Sequence, residues 1–389
     1  MSQTNVMDSI LNHLQNRGIL FVPRFAPYFI SSFGCHVFNL VNKQNQVYTE
    51  HGRVADTRLH ELFVAPPGFF KSMCMKMLLN PVYGVLNAMD SSGRSIVPMH
   101  FESMITEGGW TGSFGKDKNG AIIPMKGLAE EYSSGIVGIE EFSAVTQTIK
   151  QQHSLTLDAA LLTTLDSGEV RKRMVSGSIA YESNITVWAG TQQGRFDLSS
   201  GLGRRFFFLN WVPSTREAND LKIAYWQGQN VRLDVADLDH IRTLVSNVVD
   251  RVDKIKSVSF DEGIKNDLMD CPHFEHSLFA RLCLGYQIMT GQFSDKLEVH
   301  FSDNMRSLLT QAKVWREHLL TEAEGDQVIQ ILLQAGGEAR GWDICARMLG
   351  FGSSAAQTRN LLWRLANRAR LVSWDEKTDM VKLRTPNKA

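Results

Sequence analysis

Leu62-Phe63-Val64-Ala65-Pro66-Pro67-Gly68-Phe69-Phe70-Lys71-Ser72 is the stretch on which the fold turns. An apolar run stops at a Pro-Pro-Gly turn and gives way to a lysine and a serine, the pattern of a buried strand, a tight loop and a helix start. Such a loop can cradle a triphosphate. Backbone N–H groups at a helix N-terminus face the phosphates, a lysine reaches the β- and γ-phosphates, and a hydroxyl ligates magnesium. Here Pro67, Gly68, Phe69 and Phe70 would form the cradle, Lys71 would reach the phosphates and Ser72 would hold Mg2+. The match to G-x-x-x-x-G-K-[ST] is partial, because Ala65 and Phe70 stand where the pattern has glycine. An ordinary turn before a solvated lysine is the competing reading, so the chain on either side has to decide.

Downstream, short apolar runs alternate with helical stretches from 58 to 212, which argues for a parallel sheet with crossover helices. Strands are expected at Leu62–Ala65, Ser95–Met99, Gly135–Ile139, Asn184–Ala189 and Phe206–Trp211. Ligands in such sheets bind outside the carboxyl ends of the strands. The third run delivers Glu140-Glu141, 69 residues after Lys71. ATP hydrolysis needs one carboxylate for magnesium and a neighbour to orient water, which assigns Glu140 to the metal and Glu141 to the water. The fourth run ends in Thr191-Gln192, either of which could sit between the acidic pair and the terminal phosphate.

Leu202-Gly203-Arg204-Arg205-Phe206 sets two arginines before a buried aromatic strand, and guanidinium suits charge on a transferring phosphoryl group. Mounted at a domain edge, Arg205, with Arg204 as substitute, would serve a neighbour's nucleotide; the alternative is a basic gatekeeper beside an aggregation-prone strand. Arg171-Lys172-Arg173 reads as a basic hairpin able to touch a phosphate backbone, or as a solvated loop.

Composition narrows the rest. A chain of 389 residues with 43% hydrophobic content can bury one large core and a smaller one. Lys plus Arg equals Asp plus Glu at 41 each, so any attraction for nucleic acid must be local. From Asp326 onward there are ten basic and six acidic residues, net +4, which leaves −4 for the remainder. Five scattered cysteines, without C-x-x-C, fit reduced thiols in a cytoplasmic setting. No signal peptide and no apolar run long enough to span a bilayer is expected.

With these residues in hand, the chain resembles the AAA+ ATPases, and among them the minichromosome-maintenance (MCM) helicase branch and its mobile-element relatives. Pro67–Ser72 is similar to that branch's modified phosphate loop, Val137–Phe142 to its I-D-E-F strand with glutamate for aspartate, and Leu202–Phe206 to its L-S-R-F finger segment. The likeness spans roughly 58 to 212 with the motif order intact; the family's large N-terminal DNA-binding domain has no counterpart. It implies a P-loop parallel sheet with a helical lid, ATP and Mg2+ as cofactors, and a homohexameric ring. Each nucleotide would lie between one subunit's Lys71, Ser72, Glu140 and Glu141 and the next subunit's Arg205. It further implies a DNA strand gripped by Arg171, Lys172 and Arg173, and Arg281 as a counterpart of the second sensor arginine.

The expected organisation is therefore a mixed segment over 1–57 leaning on the core, an ATPase core over 58–212, a helical lid over 213–325 and a small unit over 326–389. In that unit three helices (Gln327–Gln334, Gly341–Leu349, Ser353–Arg368) precede two strands around Asp375–Asp379, the winged-helix arrangement. Its third helix would present Gln357, Arg359, Asn360, Arg364 and Arg368 to DNA, or the unit would serve a protein contact. The reading is a DNA helicase or translocase replicating a mobile element or virus, with replication proteins as further partners. Its rivals are a loader or remodelling ATPase acting on a protein, and a DNA-binding scaffold whose loop has lost turnover.

Overall fold

The computed structural model describes residues 5–18, 22–45, 47–49, 52–54, 56–90, 92–103, 105–142, 155–166, 168–192, 201–211, 213, 215–226, 237–269, 271, 273–349, 354–367 and 371–384. They fall into two compact units, Met1–Lys313 and Val314–Ala389.

Five parallel strands organise the first unit: β1 (His60–Val64), β2 (Met99–Glu102), β3 (Ile136–Ile139), β4 (Thr186–Thr191) and β5 (Phe206–Asn210). Their spatial order is β5-β1-β4-β3-β2. All but β2 are buried along their whole length, as continuous apolar runs must be in a sheet covered on both faces. The outer strand β2 starts where the expected Ser95–Met99 strand was to end. At a sheet edge half-exposed residues such as His100 and Glu102 are tolerated, so the apolar Ile96-Val97 was a poor guide to the pairing.

Helices α1 (Val6–Asn16) and α2 (Val22–Asn45) precede the sheet, and α3 (Lys71–Leu79) follows β1. Phe25 and Phe29 of α2 meet Phe63 at 4.6 and 6.2 Å, and Trp188 Nε1 donates to Ser32 Oγ at 2.7 Å. The segment before 58 is thus part of the main core, where leaning on it was the expectation. The opposite face is covered by the helix Leu155–Asp166, whose Leu165 carbonyl lies 3.1 Å from His60 Nε2.

Two antiparallel hairpins are inserted into this frame. Ser113–Lys116 pairs with Ile122–Met125 between β2 and β3, and Glu169–Met174 pairs with Gly177–Glu182 just before β4. After β5, the helices Leu238–Val252 and His273–Met289 lie within a residue or so of their expected bounds. A small mixed sheet, Lys296–Val299, Ser257–Phe260, Tyr48–Thr49 and Gly52–Arg53, was not expected there. The helix expected at Asp303–Leu320 runs on to Gln334, absorbing the separate helix expected at Gln327–Gln334.

In the second unit the strand Glu338–Arg340, the helices Gly341–Leu349 and Ala355–Asn367, and the strands Val372–Asp375 and Met380–Leu383 enclose a core that includes Leu332, Ile344, Leu361, Val372 and Val381. Its three strands are antiparallel. Ser354 caps the second of those helices: Gln357 N donates to its Oγ at 3.3 Å, while its own N donates to Gln357 Oε1 at 2.8 Å, a capping box. No helix among the described residues is long and apolar enough to cross a membrane, and the five cysteines are free thiols.

Candidate functional site

Because the five strands run the same way, the sheet has one carboxyl edge, where ligands of such sheets bind. The chain leaves β1 towards β2 on one side and leaves β4 towards β5 on the other, so the switch point lies between the adjacent strands β1 and β4. Residues 65–70 form the loop at that point, fastened to β4 by Ala65 N donating to the Thr191 carbonyl at 3.2 Å.

Gly68 takes φ 79°, and Phe70, the N-cap of α3, takes φ 50° without offering a side-chain cap. The first-turn amides of α3 therefore receive no side-chain acceptor from the cap residue, and the helix dipole favours an anion there. The left-handed conformation before the lysine is one that glycine adopts freely and a non-glycine residue adopts at about 1–2 kcal/mol. Phe70 keeps the glycine-like backbone and replaces only the side chain. Phe69 sets its ring edge-on to Trp211 at 5.3 Å, anchoring the loop beside β5.

Lys71 is 9% exposed, and its Nζ donates to the carbonyls of Ala65 at 2.8 Å and Pro66 at 2.9 Å. Burial lowers its pKa, and the charge of Glu141 works in the opposite direction. Glu140 turns to α3, with Lys76 Nζ 3.9 Å away. Ser72 and Lys76 are one turn apart on the same helix face. Gln192 Nε2 donates to Glu141 Oε2 at 3.5 Å. Between the two elements, a Cβ on Gly190 would stand 2.8 Å from the Glu140 carbonyl and 3.6 Å from Lys71 Cβ. The bare strand is what lets the acidic end of β3 close on the loop helix.

Thr191 and Asn210 are both paired in register with Val64 and so flank it on one sheet face. Both are buried, and Thr191 Oγ1, Asn210 Oδ1 and Asn210 Nδ2 have no hydrogen-bond partner. Asn210 was not singled out from the sequence, although a polar residue closing the run Phe206–Leu209 was the available signal. Among the described residues no group of three or more His, Cys, Asp or Glu could hold a metal ion by itself. A magnesium ion that keeps most of its waters asks only for one or two such oxygens, so Ser72 and Glu140 fit that ion and the uncapped amides and Lys71 fit a phosphate chain.

The arginines lie at the other edge. Arg205 immediately precedes β5, and its Nη2 donates to Asp166 Oδ2. A five-residue strand is about 17 Å long, so Arg205 stands a full strand away from its own chain's loop. Arg204 is exposed in the turn Gly201–Arg204. Arg281 also belongs to the amino edge, where its Nη1 donates to the Arg58 carbonyl at 2.8 Å; it is not brought to the loop. Arg58, which no motif marked, is 1% exposed and donates to the carbonyls of Thr164, Leu165, Asp166, Ser183 and Ile185 while pairing with Asp56.

On the hairpin the strand alternation separates the three cations. Arg171, 80% exposed at its side chain, and Arg173 face outward, whereas Lys172 turns in to Glu107 Oε1 at 2.8 Å. Tyr181 OH donates to the Thr111 carbonyl at 3.2 Å, which fixes this hairpin to the helix leading into the other one. That other hairpin escaped notice in the sequence, although its Asp117-Lys118-Asn119-Gly120 turn was a usable signal.

In the second unit Arg359 is exposed and Arg364 half-buried. Arg359 and Asn360 line a cleft with Trp363, Trp374, Glu376 and Asp379, so that face carries both signs of charge. Gln357 is spent on the capping box, and Arg368 lies outside the described residues. Comparison with models of known protein families gives no match for this chain, and comparison with curated proteins gives none either.

Proposed function

We propose that the chain is an AAA+ ATPase of the MCM-like branch that assembles into a ring and moves along DNA, as the replicative helicase of a mobile element or virus. One observation carries this reading: Lys71, Glu140, Glu141 and Gln192 meet at the carboxyl edge of the sheet while Arg205 stands at the amino edge. A guanidinium so placed suits the nucleotide of an adjacent copy and is out of reach of its own.

Bound ATP with Mg2+ would supply the phosphoryl group and the metal's charge neutralisation. In that complex Lys71 would exchange the Ala65 and Pro66 carbonyls for the phosphates. Ser72 and Glu140 would hold the metal and its water shell, Glu141 would orient the attacking water and accept its proton, and Gln192 would fix the Glu141 carboxylate. Thr191 offers its buried hydroxyl beside them. The outward Arg171 and Arg173 suit a phosphate backbone, with Lys172 bracing the hairpin from within. The second unit, read as a winged helix, adds a weaker contact, since Glu376 and Asp379 oppose a polyanion.

The decisive experiment measures ATP hydrolysis with and without single-stranded DNA for the wild type, Lys71→Ala, Glu141→Gln and Arg205→Ala. Turnover stimulated by DNA and lost in all three variants, with ATP binding kept in Arg205→Ala, is the expected result. Full-rate hydrolysis by Arg205→Ala would refute the shared site. One observation favours the scaffold alternative: a bulky side chain stands at Phe70, where the phosphate-loop pattern has glycine. Absence of any hydrolysis in the wild type would establish that alternative.

A further inference from the structure

We infer that Asp166 is a positioning residue that parks Arg205 until the hairpin Glu169–Glu182 is engaged, so that DNA contact controls the guanidinium offered to the neighbouring site. The inference rests on the ring reading proposed above and adds to it a route from the hairpin to the arginine.

Asp166 is the last residue of the helix that leads into the hairpin, and it is held from two directions. Its carboxylate accepts from Arg205 Nη2, and its carbonyl accepts from the buried Arg58 at 2.9 Å. Two residues on, Gly168 closes the hairpin stem: its N donates to the Thr163 carbonyl at 3.0 Å and its carbonyl accepts from Ser183 N at 2.7 Å. Gly168 takes φ 75°, and a Cβ there would lie 2.3 Å from the Ser183 carbonyl, so the two stems touch backbone to backbone. The buried Arg58 donates to the carbonyls of both Asp166 and Ser183, so the hairpin stem and Asp166 are tied through one side chain.

Arg205 is not deeply enclosed; its side chain is 24% exposed and that of Asp166 55%. The pair spends Nη2 and turns the guanidinium toward its own chain, so a phosphate on another chain must compete with Asp166 for its orientation. An exposed pair of this kind is weak. Weakness is what a releasable contact requires, since the triphosphate of a neighbour must outbid it once the hairpin has drawn Asp166 aside.

The test compares steady-state ATP hydrolysis by wild type, Asp166→Ala and Asp166→Asn, each with and without single-stranded oligothymidylate. The inference expects both variants to hydrolyse ATP without DNA several-fold faster than wild type and to respond to DNA by less than a factor of two, with KM for ATP unchanged. Asp166→Glu should restore the dependence on DNA. Asp166→Ala combined with Arg205→Ala should be as inactive as Arg205→Ala alone. A wild-type ratio of stimulated to basal rate preserved in both Asp166 variants overturns the inference, and so does a fall of both rates together. Failure of the ring reading looks different, because the wild type itself would then show no stimulation. Should the alanine variant not fold, the isosteric asparagine variant carries the comparison.

Discussion

Glu61 sits in the middle of the sheet with its carboxyl fully buried and neither oxygen hydrogen-bonded. Burial raises its pKa well above 4.5, and its charge would push the pKa values of Tyr28, Cys35 and Cys74 upward as well. In the folded chain the group keeps its proton at a pH where the unfolded chain has released it. Folding then takes up a proton, so stability is present below the unfolded pKa and is lost as pH rises through the folded one. Within that window a single such group tilts the unfolding free energy by about −1.4 kcal/mol per pH unit. Glu61→Leu and Glu61→Gln both abolish the titration, the first with an apolar side chain of similar volume and the second with a neutral near-isostere. Urea unfolding at pH 5, 6 and 7 should give a variant-minus-wild-type difference that grows with pH in favour of the variants, by at most about 1.4 kcal/mol per unit. The subtraction cancels His36 and His60. Their pKa values, held at about 4 and about 3 by burial, give stability that is lost as pH falls below 6.5. A difference that stays flat with pH would mean that Glu61 ionises equally in both states, and the argument from its burial would be wrong.

Other outcomes follow from the loop and the hairpin. Phe70→Gly removes a left-handed aromatic residue; net of glycine's extra unfolded entropy the fold should change by under about 1 kcal/mol. The same variant should bind an ATP analogue more tightly, and unchanged affinity by calorimetry would show that the ring does not obstruct the cradle. Gly190→Ala drives a methyl to within 2.8 Å of the Glu140 carbonyl. Overpacking of this kind costs about 1–3 kcal/mol, so a lowered melting temperature together with lost ATP hydrolysis is expected, and wild-type values for both would contradict the close approach. Arg171→Ala and Arg173→Ala should each weaken single-stranded DNA binding and reduce its salt dependence by about 0.7 in the logarithmic slope. Lys172→Ala should lower thermal stability and leave that slope unchanged, as fluorescence anisotropy across a salt series would show.

The sheet was legible because its strands are buried on both faces and therefore uninterrupted in sequence: Ile136–Ile139 and Phe206–Asn210 differ from the expected runs only by a terminal residue. The acidic pair and the loop lysine were legible for the same reason, being the first polar residues beyond such runs. Less could be read where partners are remote or solvent-facing. Ser113–Lys116 and Ile122–Met125 are exposed or half-exposed, so no apolar period announces that hairpin. The break anticipated near Glu322–Gly325 did not interrupt the helix Asp303–Gln334, since Glu and Ala favour helix and one glycine costs only about 1 kcal/mol. Three adjacent cations looked equivalent as a string, and only the pairing of Glu169–Met174 with Gly177–Glu182 assigned Lys172 to the inner face.

Arg58 illustrates how far apart cause and effect can be along a chain. Apart from Asp56, two positions before it, its partners are main-chain oxygens more than a hundred positions later, which nothing local in the sequence advertises. Lysine would bring the same charge but gather its donors at a single point, and could not serve a ring of five acceptors laid out around a planar group. One side chain thus holds the end of the helix Leu155–Asp166 and the chain entering β4 to the start of β1.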